Sequence, residues 1–253
     1  MANVVYRTEE LARFYASNRV RWEQFYPSER VIFERVAARF GPPRTVLDGG
    51  CAVGGLGRAL QERFGTLEGY TGVDINPQVI ALAAQRAEPW QRFLCADVAA
   101  APVPDLFQWV VSLSCADWNL EPIATIHSLW GQVSAGGVLV LSLRLTELEG
   151  ACDPTKSVQR IAFFEDVGTA EVANYVVFNV AEAVSLLAGL GPDSILAYGY
   201  WGPPARTAVT PYARLAFTVF AAHKADEQGS SSPGTRIELD LPADLVAGLR
   251  PRE

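Results

Sequence analysis

From Thr45 to Leu145 short apolar runs alternate with amphipathic stretches, and this alternation limits the fold more than any other feature. "TVLDG", "GYTGVDI", "RFLCA", "WVVSLS" and "GGVLVLSL" have strand length, while "GLGRALQERF", "PQVIALAAQRA" and "PIATIHSLWGQV" carry helical patterns. Such apolar strands need cover on both faces, which βαβ units supply by laying helices over a parallel sheet. The expected class is α/β, in three layers.

The flanking segments extend this frame. Residues 7–40 read as two helical stretches, the second with Ser28 as N-cap and Gly41-Pro42-Pro43 as its stop. Residues 145–172 are less regular, and beyond them Asn179 begins a helix, with Glu182 completing a capping box. "SILAYGYW" and "YARLAFTVFAAHK" are joined by a connection too short for a crossover helix, so they are expected to be antiparallel neighbours. "ADEQGSSSPG" reads as a flexible linker. The expected organisation is a helical lead-in or lid over 1–40, one α/β domain over 41–224, and a linker with a small appendage over 225–253.

Composition excludes several classes. A net charge of −7 and a pI near 5.0 leave no clustered basic stripe for phosphate backbones, so nucleic acid is not an expected partner. No segment approaches the 18 or so uninterrupted apolar residues of a membrane span, and the amino terminus lacks the pattern of an export signal. Four cysteines, Cys51, Cys95, Cys115 and Cys152, form no CxxC pair. A cytoplasmic location is expected, and an oligomer is compatible with the sequence.

"LDGGCAVGG", Leu47 to Gly55, lies between the first strand and its helix, where missing side chains let a ligand approach the backbone. A phosphate-binding P-loop needs Gly-Lys-Ser/Thr, but Leu56 follows Gly55 and the first lysine is Lys156. A dinucleotide fingerprint is weakened by Ala52 at its second glycine and by Asp48 near a pyrophosphate. S-adenosylmethionine has no phosphate and carries a sulfonium and an ammonium, so Asp48 helps rather than repels it. Asp74, at the end of the second strand in "GVDINP", suits the ribose hydroxyls, and Asn76-Pro77 starts the next helix. Asp97, in "CADV" at the end of the third strand, suits the adenine amino group.

With these motifs the chain resembles the class I S-adenosylmethionine-dependent methyltransferases over roughly residues 40–224. "VLDGGCAVGG", "GVDINP", "CADV" and "WVVSLSCADW" resemble that family's successive motifs, with Ala52 replacing the middle glycine of the first. The resemblance implies a Rossmann-like methyltransferase fold, a seven-stranded sheet in the order 3-2-1-4-5-7-6 with its last strand antiparallel. It also implies Gly50 and Gly54 at the methionyl part of the cofactor, Asp74 at the ribose and Asp97 at the adenine. Its activity would be methyl transfer to an oxygen or, as the lesser alternative, a nitrogen of a small molecule or saccharide.

The acceptor pocket is expected beyond the carboxyl ends of the later strands. After the fourth, Asp117 can orient or deprotonate an acceptor, Trp118 can wall it and Asn119 can hydrogen-bond it; equally, Asp117 or Asn119 can cap the helix at Pro122 and Trp118 can fill core. Alternation puts Tyr198 and Tyr200 on one face and Trp201 on the other, and Tyr200 and Trp201 are the substrate candidates there. Tyr15, Arg19, Trp22 and Tyr26 form an aromatic and basic lid group, with Arg19 a partner for the methionyl carboxylate. Two histidines and no carboxylate cluster after the fifth strand argue against a metal. A nicotinamide-dependent oxidoreductase and a catalytically silent S-adenosylmethionine-binding module use the same sheet and stay open on sequence alone.

Overall fold

The computed structural model describes residues 3, 5, 9–99, 103–161, 171–226 and 234–249. It opens with helices α1 (Glu9–Ser17) and α2 (Pro27–Phe40), then runs β1 (Thr45–Gly49), α3 (Gly55–Phe64), β2 (Gly69–Asp74), α4 (Pro77–Gln85), β3 (Gln91–Cys95) and β4 (Phe107–Ser112). Next come α5 (Pro122–Gly131), β5 (Val133–Thr146), β6 (Val158–Ile161), β7 (Glu171–Asn174), β8 (Phe178–Asn179) and α6 (Val180–Gly189). The last elements are β9 (Ser194–Gly202), β10 (Ala208–Val209), β11 (Leu215–His223), β12 (Arg236–Asp240) and the short α7 (Ala243–Val246).

The main sheet has the order β12-β9-β11-β5-β4-β1-β2-β3, with β8 paired to β5. Strands β1 to β5 are mutually parallel and β11 is antiparallel to both β5 and β9, so the expected order and the reversed last strand are present. Two clusters of buried side chains cover its faces. One gathers Leu139, Leu141 and Leu143 with Ile126 and Leu129 of α5 and Leu187 of α6, and the other gathers Val138 and Val140 with Ile32 and Phe33 of α2 and Leu60 of α3. Trp109, the largest fully buried side chain, stacks on Phe33 at 5.9 Å.

Local chemistry explains most element ends. Asn76 caps α4 by accepting from the Gln78 amide at 2.9 Å, with Pro77 in the first turn, and Asn179 caps α6 through the Ala181 amide at 2.8 Å. Ser28 is not the cap of α2. Pro27, with its preset φ, takes the first helical position, so Tyr26 becomes the cap and Glu29 accepts its amide at 2.8 Å.

Two further differences from the sequence reading lie outside β1–β5. Part of the irregular stretch joins the β9–β11 connection as a second sheet, β10-β6-β7. The segment expected to be an appendage extends the main sheet, because β12 pairs in parallel with β9 from Arg236↔Ser194 to Asp240↔Tyr198. The linker before it falls largely outside the described residues. Surface pairs Arg35–Asp240 at 2.6 Å and Arg39–Glu238 at 2.8 Å join β12 to α2, but exposed pairs of this kind contribute only ~0–1 kcal/mol each. Burial of Leu245, 0% exposed within the α5–α6 cluster, is the stronger anchor. Leu245→Ala should therefore destabilise the whole domain by about 2–5 kcal/mol, read as a fall of several degrees in the calorimetric midpoint; an unmoved midpoint would mean the carboxyl-terminal segment is only loosely docked.

Candidate functional site

The loop between β1 and α3 turns on left-handed backbone: Gly50 has φ 84°, Ala52 47° and Gly54 76°. A Cβ on Gly50 would collide with Cys115, and one on Gly54 with the Phe93 ring, so both positions require glycine for space as well as for φ. The amides of Gly50 and Cys51 donate to the Val73 carbonyl at 2.8 and 3.1 Å. Asp74 completes the tie: one carboxylate oxygen accepts from the Ala52 amide and the other from the Asn76 amide, both at 2.9 Å. Burial pushes the Asp74 carboxyl up, against the pull of those amides.

This loop floors a cleft enclosing about 1150 Å³, open to solvent on one side. Asp48, Gly50, Ala52, Asp74 and Asp97 all line it, with Tyr15, Arg19, Trp118 and Asn119 at one side. Gly54, the N-cap of α3, is not among the cleft's lining residues. Asp48 is 4% exposed and accepts from the Tyr70 hydroxyl at 2.5 Å. Burial pushes its carboxyl up to about 7, with the Tyr70 bond and the Arg19 charge opposing. Both Asp97 oxygens accept from Asn3 at 2.8 Å, and Asn3 also takes the Leu120 amide at 3.2 Å, so Asn3 lines the cleft beside Asp97. Arg19 reaches the cleft wall, but its guanidinium is matched by Glu29, 1% exposed, at 2.7 Å and lies 4.7 Å from the Phe25 ring.

A second chamber of about 1000 Å³ adjoins the first, sharing Tyr15, Asn18, Arg19, Ser114 and Trp118 with it. It lies on the α2 face of the sheet, above Ser142 and Arg144 of β5 and under Gln159 of the small sheet. Asp117 lines it in a 3₁₀ turn after β4, 3% exposed, with Arg144 at 3.3 Å. Burial pushes the Asp117 carboxyl up and the Arg144 charge pulls it down. Asn119 accepts the Glu121 amide at 3.1 Å, so its side chain shapes the turn into α5, and Asp117 does not cap that helix.

The hairpin aromatics are placed differently from the sequence expectation. Trp201 is on the opposite face, its indole donating to Asp244 at 2.8 Å with Arg214 at 4.0 Å from the ring, so it fastens α7 instead of lining a cavity. Tyr200 faces the chamber's side of the sheet, 6.2 Å from Phe217, but lines neither cavity; the connection contributes Ala205. Of the lid group, Tyr15 and Arg19 reach both cavities and Tyr26 the second, while Trp22 packs at 5.7 Å from Phe64. Arg144, Glu29 and Tyr175 escaped the sequence reading. A lone arginine in "SLRLT" was the available signal, since a charge inside an apolar strand needs a built partner.

Comparison with known proteins bears on the same region. A methyltransferase-domain family model matches residues 46–137, from within β1 into β5. This stretch of the chain is thus similar to a methyltransferase domain. It is 33% identical over 102 residues to a malonyl-acyl-carrier-protein O-methyltransferase of Anoxybacillus flavithermus, in an alignment covering 40% of this chain and 39% of that one. A 2-methyl-6-phytyl-1,4-hydroquinone methyltransferase of Synechocystis is 32% identical over 122 residues, covering 45% and 38%. The matches thus span about two-fifths of the length of these curated relatives. The solved sugar N-methyltransferase KedS8 from a Streptoalloteichus species superposes with a TM-score of 0.54 at 14% identity, covering 89% of this chain and 96% of that one, a likeness of fold.

The burial of Asp48 gives the folded protein a distinct pH response. A carboxyl raised from 3.8 to about 7 binds its proton more tightly folded than unfolded. Its contribution is neutral at the acid end, and stability falls as pH rises from about 4 towards 7, at up to about 1.4 kcal/mol per pH unit. Asp48→Asn should flatten that segment when urea unfolding of the unliganded protein is compared at pH 5 and 8; an unchanged slope would show Asp48 ionised throughout.

Proposed function

We propose that this protein transfers the methyl group of S-adenosylmethionine to an oxygen, or as the lesser alternative a nitrogen, of a small molecule or saccharide. The observation carrying this reading is the adjacency of the two cavities: the glycine-loop cleft and the second chamber share Ser114 and Trp118 among their lining residues. One holds a nucleoside-sized donor, and the other an acceptor beside its sulfonium end.

In this reading the backbone around Gly50 and Gly54 cradles the methionyl part, Asp74 accepts from the ribose hydroxyls with lone pairs left by its two amides, and Asp97 receives the adenine amino group once Asn3 yields. Asp48 offsets the positive charge of the methionyl end. Arg19, already paired with Glu29, orients the methionyl carboxylate through its remaining N–H groups. In the reaction the acceptor's lone pair forms the new bond to the methyl carbon while the S–CH₃ electrons stay on sulfur, leaving S-adenosylhomocysteine. A hydroxyl or amine acceptor then releases its proton to Asp117 or to water. Because the sulfonium is already a good leaving group, the protein's part is chiefly alignment and exclusion of water, with Trp118 and the α1 helix enclosing the junction.

Calorimetry tests the donor site. S-adenosylhomocysteine should bind and NAD should not, and Asp74→Ala should weaken binding by roughly 1.5–3 kcal/mol, the range for hydrogen bonds to a charged group. Unchanged affinity in that variant would place the ribose elsewhere. Among the described residues no group of three or more His, Cys, Asp or Glu could hold a metal ion. EDTA should accordingly leave methyl transfer intact, and a loss restored by Mg²⁺ would assign a metal to the reaction.

A further inference from the structure

Arg144 is the least expected side chain in the second chamber. It projects from β5 between the apolar Leu143 and Leu145 and is 6% exposed. Its protein contacts run through one nitrogen: Nη1 donates to the Asp117 carbonyl at 2.9 Å, reaches the Val176 carbonyl at 3.4 Å, and lies 3.3 Å from the Asp117 carboxylate. The flat faces are covered, with the Tyr175 ring 3.7 Å from the guanidinium carbon and the Trp118 ring 5.9 Å away. Tyr175 is itself fixed, since its hydroxyl accepts the Ala205 amide at 3.2 Å. Among the described residues Nε and Nη2 have no acceptor, yet they are absent from the fully buried unsatisfied atoms, so this edge opens into the chamber.

That edge matters because the parallel N–H bonds of Nε and Nη2 match the two oxygens of a carboxylate. The chamber's charges narrow the class further. Arg19 is paired with Glu29 and Arg144 with Asp117, and among the described residues no other cation lines the cavity. A phosphate, at nearly two negative charges, would enter a low-dielectric site without a spare cation, whereas a carboxylate adds one charge to an arginine with an open fork.

We infer that Arg144 is the acceptor-anchoring residue, and that the acceptor is a small molecule bearing one carboxylate, which docks on the open Nε–Nη2 edge inside the second chamber. The inference rests on the methyl-transfer reading only in treating the bound molecule as the acceptor; the anion site itself does not. An oxygen pair held by two N–H groups has fewer lone pairs free for attack, so the methyl group goes to another atom of the anchored molecule.

The test uses the full chain labelled with ¹⁵N-arginine, with and without S-adenosylhomocysteine. The Arg144 Nε–H signal is identified by its disappearance in R144K or, should that variant not fold, by its contacts with the Tyr175 ring in the wild-type protein. Acetate and benzoate, titrated at constant ionic strength, should move this signal saturably, while acetamide and benzamide leave it in place and inorganic phosphate acts at least several-fold more weakly. An unmoved signal with both carboxylates, an equal response to the amides, or tighter binding of phosphate would each overturn the inference. Calorimetry on the same sample separates the two readings. If S-adenosylhomocysteine binds while the carboxylates do nothing, the anchor alone fails; if the carboxylates act and S-adenosylhomocysteine does not bind, the methyl-transfer reading fails and the anion site stands.

Discussion

The two oxygens of Asp74 hold the cleft together. One takes the Ala52 amide from the loop after β1 and the other the Asn76 amide that opens α4. A single carboxylate thus ties together two adjacent strand ends. The loop cannot relax away from it, because Gly50 and Gly54 are packed against Cys115 and Phe93 and the Gly50 and Cys51 amides are held by Val73. A ribose bound there meets a carboxylate whose orientation is already fixed, so little entropy is lost on binding.

Much of this was legible because local chemistry decides it. An aspartate at the end of an apolar run, followed by Asn-Pro, reads as a strand end and a helix cap whatever surrounds it, and the β1–β5 order follows from right-handed crossovers. The alternation that put Tyr200 and Trp201 on opposite faces was also legible, but the partner of Trp201 was not, since Asp244 lies 43 residues further on. The edge strand β12 escaped for a related reason: "RIELD" is mostly exposed, and its hydrophobic content is too low to distinguish a strand from an extended tail. The β10-β6-β7 sheet depends on pairing Ala208 with Gln159 across most of a βα unit, which no local pattern encodes. Arg144 was hidden by the neighbours that make it informative, Leu143 and Leu145, which read as ordinary core.

The two cavities divide the work unevenly. The cleft proposed to take the donor is built from backbone geometry and strand-end carboxylates on β1, β2 and β3, the region that the family model matches. The second chamber draws on α2, β5, the small sheet and the β9–β11 connection, mostly outside that region. In the proposed reading the sulfonium supplies the driving force, so the walls of the second chamber would decide which acceptor fits. The curated relatives are named for different acceptors, so fold alone does not identify the acceptor.

Strain points to the same junction. Among the described residues three that are not glycine have positive φ, Arg19 at 61°, Ala52 at 47° and Ser114 at 50°, and all three line the donor cleft. Such conformations cost on the order of 1–3 kcal/mol each and persist where surrounding bonds over-determine them. Each has its clamp: Ala52 the Asp74 carboxylate, Ser114 the Ser142 hydroxyl accepting its amide at 2.7 Å, and Arg19 its ion pair with Glu29. Arg19 and Ser114 belong to both cavities, so the backbone turns that shape the donor's wall also shape the acceptor's. A shift at either turn on cofactor binding would be transmitted directly to the chamber, without a longer path. The strained residues therefore lie where the two cavities meet, the point at which the proposed reading would align methyl group and acceptor.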